Sequence, residues 1–171
     1  AKLNDDVEVA HYAATAVAQI SKESDLKLQQ LERAFKTDPS AQNLNEYCDF
    51  LGEYLGSGLA EGRVAQIQRQ QYARLLARRC EREDTLELRI RYATALADVG
   101  QIDEAQTVTD QLVLDVPEEQ EVWMLCLRLA VMRRDGDEVH RVIDAIDKQH
   151  VYLSADNREK LAFWRDGEEA R

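Results

Sequence analysis

Apolar residues recur at spacings of three and four along most of the chain, the period of an α-helix with one buried face. The pattern is sharpest from Leu86 to Gln120, LELRIRYATALADVGQIDEAQTVTDQLVLDVPEEQ. Ala93 and Leu96 mark a first apolar face, Gly100 interrupts it, Ala105 opens a second, and Pro117 ends it. This predicts helices over 85–99 and 103–114 with a tight turn at Gly100. A small residue at Ala105 lets the two helices approach closely.

Carrying this frame forward by one helix–turn–helix length brings up a second, weaker copy. Trp123 falls in its first helix, Ala130 stands where Leu96 stood, and Val139 where Ala105 stood. The turn glycine does not repeat in register, although Asp135-Gly136 lies close by. Helices are expected over 118–134 and 137–149. A helix–turn–helix unit of about 34 residues with these small, large, Gly and Pro positions resembles the tetratricopeptide repeat (TPR). Thr109 and Leu112 depart from it, since that family prefers an aromatic residue and an alanine there. The resemblance implies an all-α, right-handed helical solenoid whose first helices line a concave groove for a peptide or partner helix. Carried onto this chain, the groove includes Glu87, Ile90, Arg91, Thr94 and Asp98 from one unit, and Glu121, Met124, Arg128 and Val131 from the next. Ile90, Met124 and Val131 equally suit a role as filling between repeats. The paired Lys and Asn clamp by which some members hold a C-terminal carboxylate is not visible.

The remaining periodicity predicts further helices. Asn4 or Asp5 suits the cap of a first helix, with Asp5, Asp6 and Glu8 at its positive end and Val9, Ala13, Ala16, Val17 and Ile20 on one face. His11 and Tyr12 lie at the edge of that face. A second helix, 23–36, carries Leu28, Leu31, Ala34 and Phe35 and ends at Thr37-Asp38-Pro39. Ser40 caps a third, whose buried face is Leu44, Tyr47, Cys48, Leu51, Tyr54 and Leu55; Gly56-Ser57-Gly58 breaks it. A long fourth helix, 59–82, aligns Val64, Ile67, Gln71, Leu75 and Cys80, with Tyr72 and Leu76 beside them. Ser154 starts a last helix to Trp164, where Leu161, Phe163 and Trp164 cover the end of the array as terminal caps must. Residues 167–171 read as a loose tail. The expected organisation is therefore divergent N-terminal hairpins with a bridging helix over 1–82, two repeats over 83–149, and a capping helix with its tail over 150–171. That amounts to about four helix pairs plus a cap.

Net charge of −11 argues against general nucleic-acid binding, since phosphates are repelled. Yet Arg63, Arg69, Arg74, Arg78, Arg79 and Arg82 concentrate in one segment. They read either as a solvated face paired with neighbouring carboxylates or as a surface for an acidic partner, with Arg74, Arg78 and Arg79 facing it. Cys48, Cys80 and Cys126 are far apart and lack metal-ligand spacing, which suits core thiols in a reducing compartment. No apolar run approaches the roughly 20 residues of a membrane span. No phosphate loop, serine elbow or HExxH motif is present, so neither catalytic residues, cofactor nor metal are expected.

The N-terminal half carries a narrower likeness. The phrases EVAHYAATAVAQI, DLKLQQLERAF, FLGEYLGSGLAEGRVA and QRQQYARLL, spread over 8–76, are similar to the cytoplasmic repeat region of the PelE family. Its members belong to the inner-membrane Pel exopolysaccharide machinery of bacteria. The likeness implies a non-enzymatic scaffold on the cytoplasmic side. Membrane segments outside this chain would tether it, and it would contact a cyclic-di-GMP receptor and/or a glycosyltransferase. It carries over no residue-level site and leaves a homo-oligomer open. The competing readings are a soluble regulator that binds a peptide or small ligand in its groove, and an enzyme.

Overall fold

The structure, a computed structural model, describes the backbone of residues 2–169 and the side chains of residues 15, 16 and 19–165. Among the described residues the chain is all-α, with eight helices and no strand. They are α1 (Lys2–Thr37), α2 (Ala41–Gly56), α3 (Gly62–Cys80), α4 (Leu86–Asp98), α5 (Ile102–Asp115), α6 (Gln120–Arg133), α7 (Gly136–Lys148) and α8 (Ala155–Glu169). None of the described helices is long and apolar enough to cross a membrane. The chain divides into two compact units, Ala1–Leu75 and Leu76–Arg171, the division falling inside α3.

In the first unit the two expected N-terminal helices are one. Ser21-Lys22-Glu23-Ser24 contains neither Gly nor Pro, and the backbone bonds run through it unbroken, from Lys2 rather than from a cap at Asn4 or Asp5. The side chains of Val9, His11, Tyr12, Ala13 and Val17 lie outside the described residues. Leu28 and Phe35 are buried, with Ser21, Ser24 and Leu31 half-buried in line with them, while Ala34 and Ile20 are exposed. α2 runs antiparallel to α1. Tyr47 packs beside Phe35 with ring centroids 6.1 Å apart, and the Tyr54 hydroxyl donates to Asp25 at 2.6 Å. Ser40 caps α2, its Oγ accepting the Asn43 N–H at 3.3 Å. Leu44, Tyr47, Cys48, Leu51 and Tyr54 form the core, and Leu55 is half-buried at its edge. A Cβ at Gly52 would lie 2.8 Å from the Tyr72 hydroxyl, so the tip of the Tyr72 ring rests against Gly52 of α2.

The face of α3 is rotated from the expected line. Ala65, Ala73, Leu75, Leu76 and Arg79 are buried, with Gln68 and Tyr72 half-buried, whereas Val64 and Ile67 are 59% and 57% exposed. Tyr72, filling the space beside Gly52, lies on this inward line. The aromatic ring outweighs two short aliphatic side chains in the area it can bury.

In the second unit the local chemistry repeats at the interval of the apolar pattern. Thr85 and Glu119 both cap helices, Thr85 accepting from Leu88 and Glu119 from Glu121. Gly100 has φ +80° and Arg134 has φ +58°. After the first, the Gln101 N–H reaches the Leu96 carbonyl at 2.9 Å; after the second, the Asp135 N–H reaches Ala130 at 3.1 Å. Both are left-handed closures that satisfy the last helical carbonyls. Arg134 thus stands in the place of the glycine. Gly136 instead begins α7, whose cap Asp135 accepts the Glu138 N–H at 2.9 Å.

Each helix packs on its neighbour from α4 to α8, and α4 also meets α6. Ala93, Leu96, Ala97, Ala105 and Leu112 meet the inner face of α6 through Val122, Leu125 and Leu129. The opposite face of α6, Trp123, Cys126, Leu127 and Ala130, meets α7 and Leu161 of α8. Buried on both sides, α6 is apolar almost all round. Thr109, fully buried, returns its hydroxyl to the Ala105 carbonyl at 2.7 Å and so needs no further partner. α8 covers the end through Leu161 and half-buried Trp164, whereas Phe163 is 68% exposed with its ring edge-on to Trp164, 5.5 Å between centroids. The helix also continues through Gly167 to Glu169, where a loose tail was expected.

Candidate functional site: a groove across α4, α6 and α8

A cavity of about 540 Å³ opens on the second unit, lined by one face of α4, α6 and α8 and by no residue of α5 or α7. Six of the nine residues expected in the groove line it: Ile90 and Thr94 from α4, and Glu121, Met124, Arg128 and Val131 from α6. Their convergence follows from helical spacing. Ile90 and Thr94 lie one turn apart, as do Met124 and Arg128, and the second pair follows the first at the repeat interval. Ile90, Met124 and Val131 are half-buried rather than sealed between helices. They fill an interface on one side and face the groove on the other.

The other three are not part of the lining. Asp98 receives an ion pair from Arg128 and so ties α4 to α6 beside the cavity. Glu87 and Arg91 pair with each other along α4 at 2.6 Å, outside the lining. α8, expected only as a capping helix, contributes Asn157, Lys160 and Trp164. The signal was present in Ser154, whose Oγ accepts the Asn157 N–H at 3.3 Å and starts α8 as Thr85 starts α4. Gln120 then holds the start of α8 against α6, accepting from the Ser154 N–H at 2.8 Å and from Asn157 at 3.2 Å.

The floor is adaptable and the rim is charged. Both methionines of the chain, Met124 and Met132, line the groove, and their unbranched side chains can shape themselves to an occupant. Glu121 and Lys160 place one charge of each sign beside them. Other ion pairs hold the frame: Arg89 to Asp115 at 2.7 Å, Arg133 to Asp103 at 2.8 Å and Arg165 to Asp147 at 2.7 Å. Arg89 and Gln111 hold the Asp115 carboxyl below its ordinary range.

The arginine triad does not form one surface. Arg74 and Arg78 are exposed, but Arg79 is buried, 3.9 Å from Glu83, because it falls on the inward line of α3 with Gln68, Tyr72 and Leu76. Cys48 and Cys126 are buried and Cys80 is half-buried; all three are free thiols. Burial pushes the Cys126 thiol up to about 12, far from a reactive thiolate. Among the described residues no group of His, Cys, Asp and Glu is placed to hold a metal ion. Compared with protein-family models, with curated proteins and with solved structures, the chain finds no match.

Proposed function

We propose that the second unit is a TPR-like right-handed solenoid and that the chain is a non-enzymatic interaction scaffold. Its groove holds a helix or peptide of a partner protein. The observation that carries this is the groove itself: three helices of like position present Ile90, Met124, Val131 and Trp164 as a floor, with Glu121, Arg128 and Lys160 around it. An amphipathic segment gains affinity from such a floor and orientation from such a rim. The repeat reading is supported by caps and left-handed turns that recur at the same interval as the apolar pattern.

The assembly we propose is a membrane-associated bacterial exopolysaccharide complex of the Pel type, with a cyclic-di-GMP receptor and/or a glycosyltransferase as partner. Support for this comes from the N-terminal phrases over 8–76 alone. The test is a pull-down from lysate of a bacterium that makes such a polymer, with the chain and its Met124→Glu variant as baits, read by mass spectrometry. Met124 is half-buried at the groove, so a buried-charge penalty falls on the bound state more than on the fold. Recovery of a receptor or glycosyltransferase by the native chain, reduced roughly tenfold or more by Met124→Glu, is the expected result. Recovery of neither protein removes the exopolysaccharide assignment; recovery unaffected by Met124→Glu removes the groove.

A second reading rests on the size of the cavity. About 540 Å³ falls within the range of roughly 300–1,000 Å³ for small-molecule sites. A small ligand in this groove would raise the melting temperature of the chain with no partner protein present.

A further inference from the structure

The arginine segment and the rotated face of α3 together leave a surface that the groove does not use. Within the first unit, Arg63, Ile67, Gln70 and Arg74 follow one another at helical spacing along α3, with Val64 beside Ile67. All five are exposed. Val64 and Ile67 are two of the larger aliphatic side chains the chain leaves open to solvent, and they are three residues apart on one helix. Among the described residues neither Arg63 nor Arg74 is held in an ion pair. An apolar pair bracketed by two guanidinium groups, in a chain of net charge −11, is a local inversion of the protein's own charge.

We propose that this edge of α3 docks an acidic amphipathic helix of a partner protein. Two aliphatic residues one turn apart offer a seat for the apolar stripe of such a helix, and Arg63 and Arg74 receive carboxylates flanking that stripe. The choice of a helix over an anionic membrane follows from range. A membrane presents an extended negative surface to the whole chain and repels its excess of acidic residues. A docked helix brings its carboxylates only to the two arginines, and charges beyond about 8 Å are screened at physiological salt. The surface shares no residue with the groove, so its failure leaves the proposed function untouched.

The test uses the full chain and two synthetic helical peptides with the same leucine stripe, one flanked by Glu and one by Lys. Binding is read by fluorescence anisotropy, and vesicles of phosphatidylserine and phosphatidylcholine serve as the membrane probe. The Glu peptide is expected to bind, the Lys peptide and the vesicles not. Arg74→Glu and the pair Val64→Ser with Ile67→Ser should each weaken the Glu peptide about tenfold, while Met124→Glu leaves it unchanged. The substituted side chains are exposed, so circular dichroism should match the native chain. Equal binding of both peptides, capture by vesicles alone, or indifference to the α3 substitutions would overturn the proposal.

Discussion

Arg134 sits at φ +58° at the end of α6, as Gly100 sits at φ +80° after α4. An L-residue with a side chain is disfavoured there by roughly 1–2 kcal/mol, part of which a glycine returns as unfolded-state entropy. Arg134→Gly should therefore stabilise the chain by about 0.5–1 kcal/mol in a thermal melt. Gly100→Ala should cost about 1 kcal/mol, and its cause would be backbone alone, since nothing lies within 4 Å of the added Cβ. Asp115 makes a different statement at the same scale. Its carboxyl is held low by Arg89, so its contribution is present above the ordinary carboxylate range and is lost as pH falls through the lowered value. Asp115→Asn should lower the melting temperature near pH 7 and converge with the native chain in strong acid. A constant difference across pH would contradict the pairing. The sequence identified Gly100 and its turn; it could not identify Arg134, because a left-handed arginine has no signature in composition.

Among the elements, the α4–α5 crossing depends on Ala105, which is fully buried against Ala93, Leu96 and Ala97. Ala105→Leu should overpack this contact and cost roughly 1–3 kcal/mol, measured by chemical denaturation. A neutral result would count against close approach here. Helices with clear start or stop signals were legible, as at Ser40, Pro39, Gly100 and Ser154. The join of the first two expected helices into α1 was not, because Ser21-Lys22-Glu23-Ser24 interrupts the apolar pattern without interrupting the backbone. The buried face of α3 was misread for a related reason. Val64 and Ile67 make a good apolar line, but Gly52 admits Tyr72, and that pairing belongs to tertiary packing rather than to the period of one helix. Arg79 went inward with the same rotation.

For the whole molecule, the groove was partly legible because its residues repeat at the period of the helix pairs. Ile90 with Met124 and Thr94 with Arg128 could be aligned from spacing alone. The share of α8 was not, because its loop to α7 and its cap set the helix in place through Gln120, a partner distant in sequence from both Ser154 and Asn157. The measurement that bears most directly on the groove is site-specific photocrosslinking in bacterial cells. A photoreactive benzoylphenylalanine is placed at Met124 in one sample and at Leu114, 76% exposed on α5, in another. Adducts to a discrete partner protein from position 124 and none from 114 are the expected result. Adducts from 114 with none from 124 would contradict the groove as the partner-binding surface.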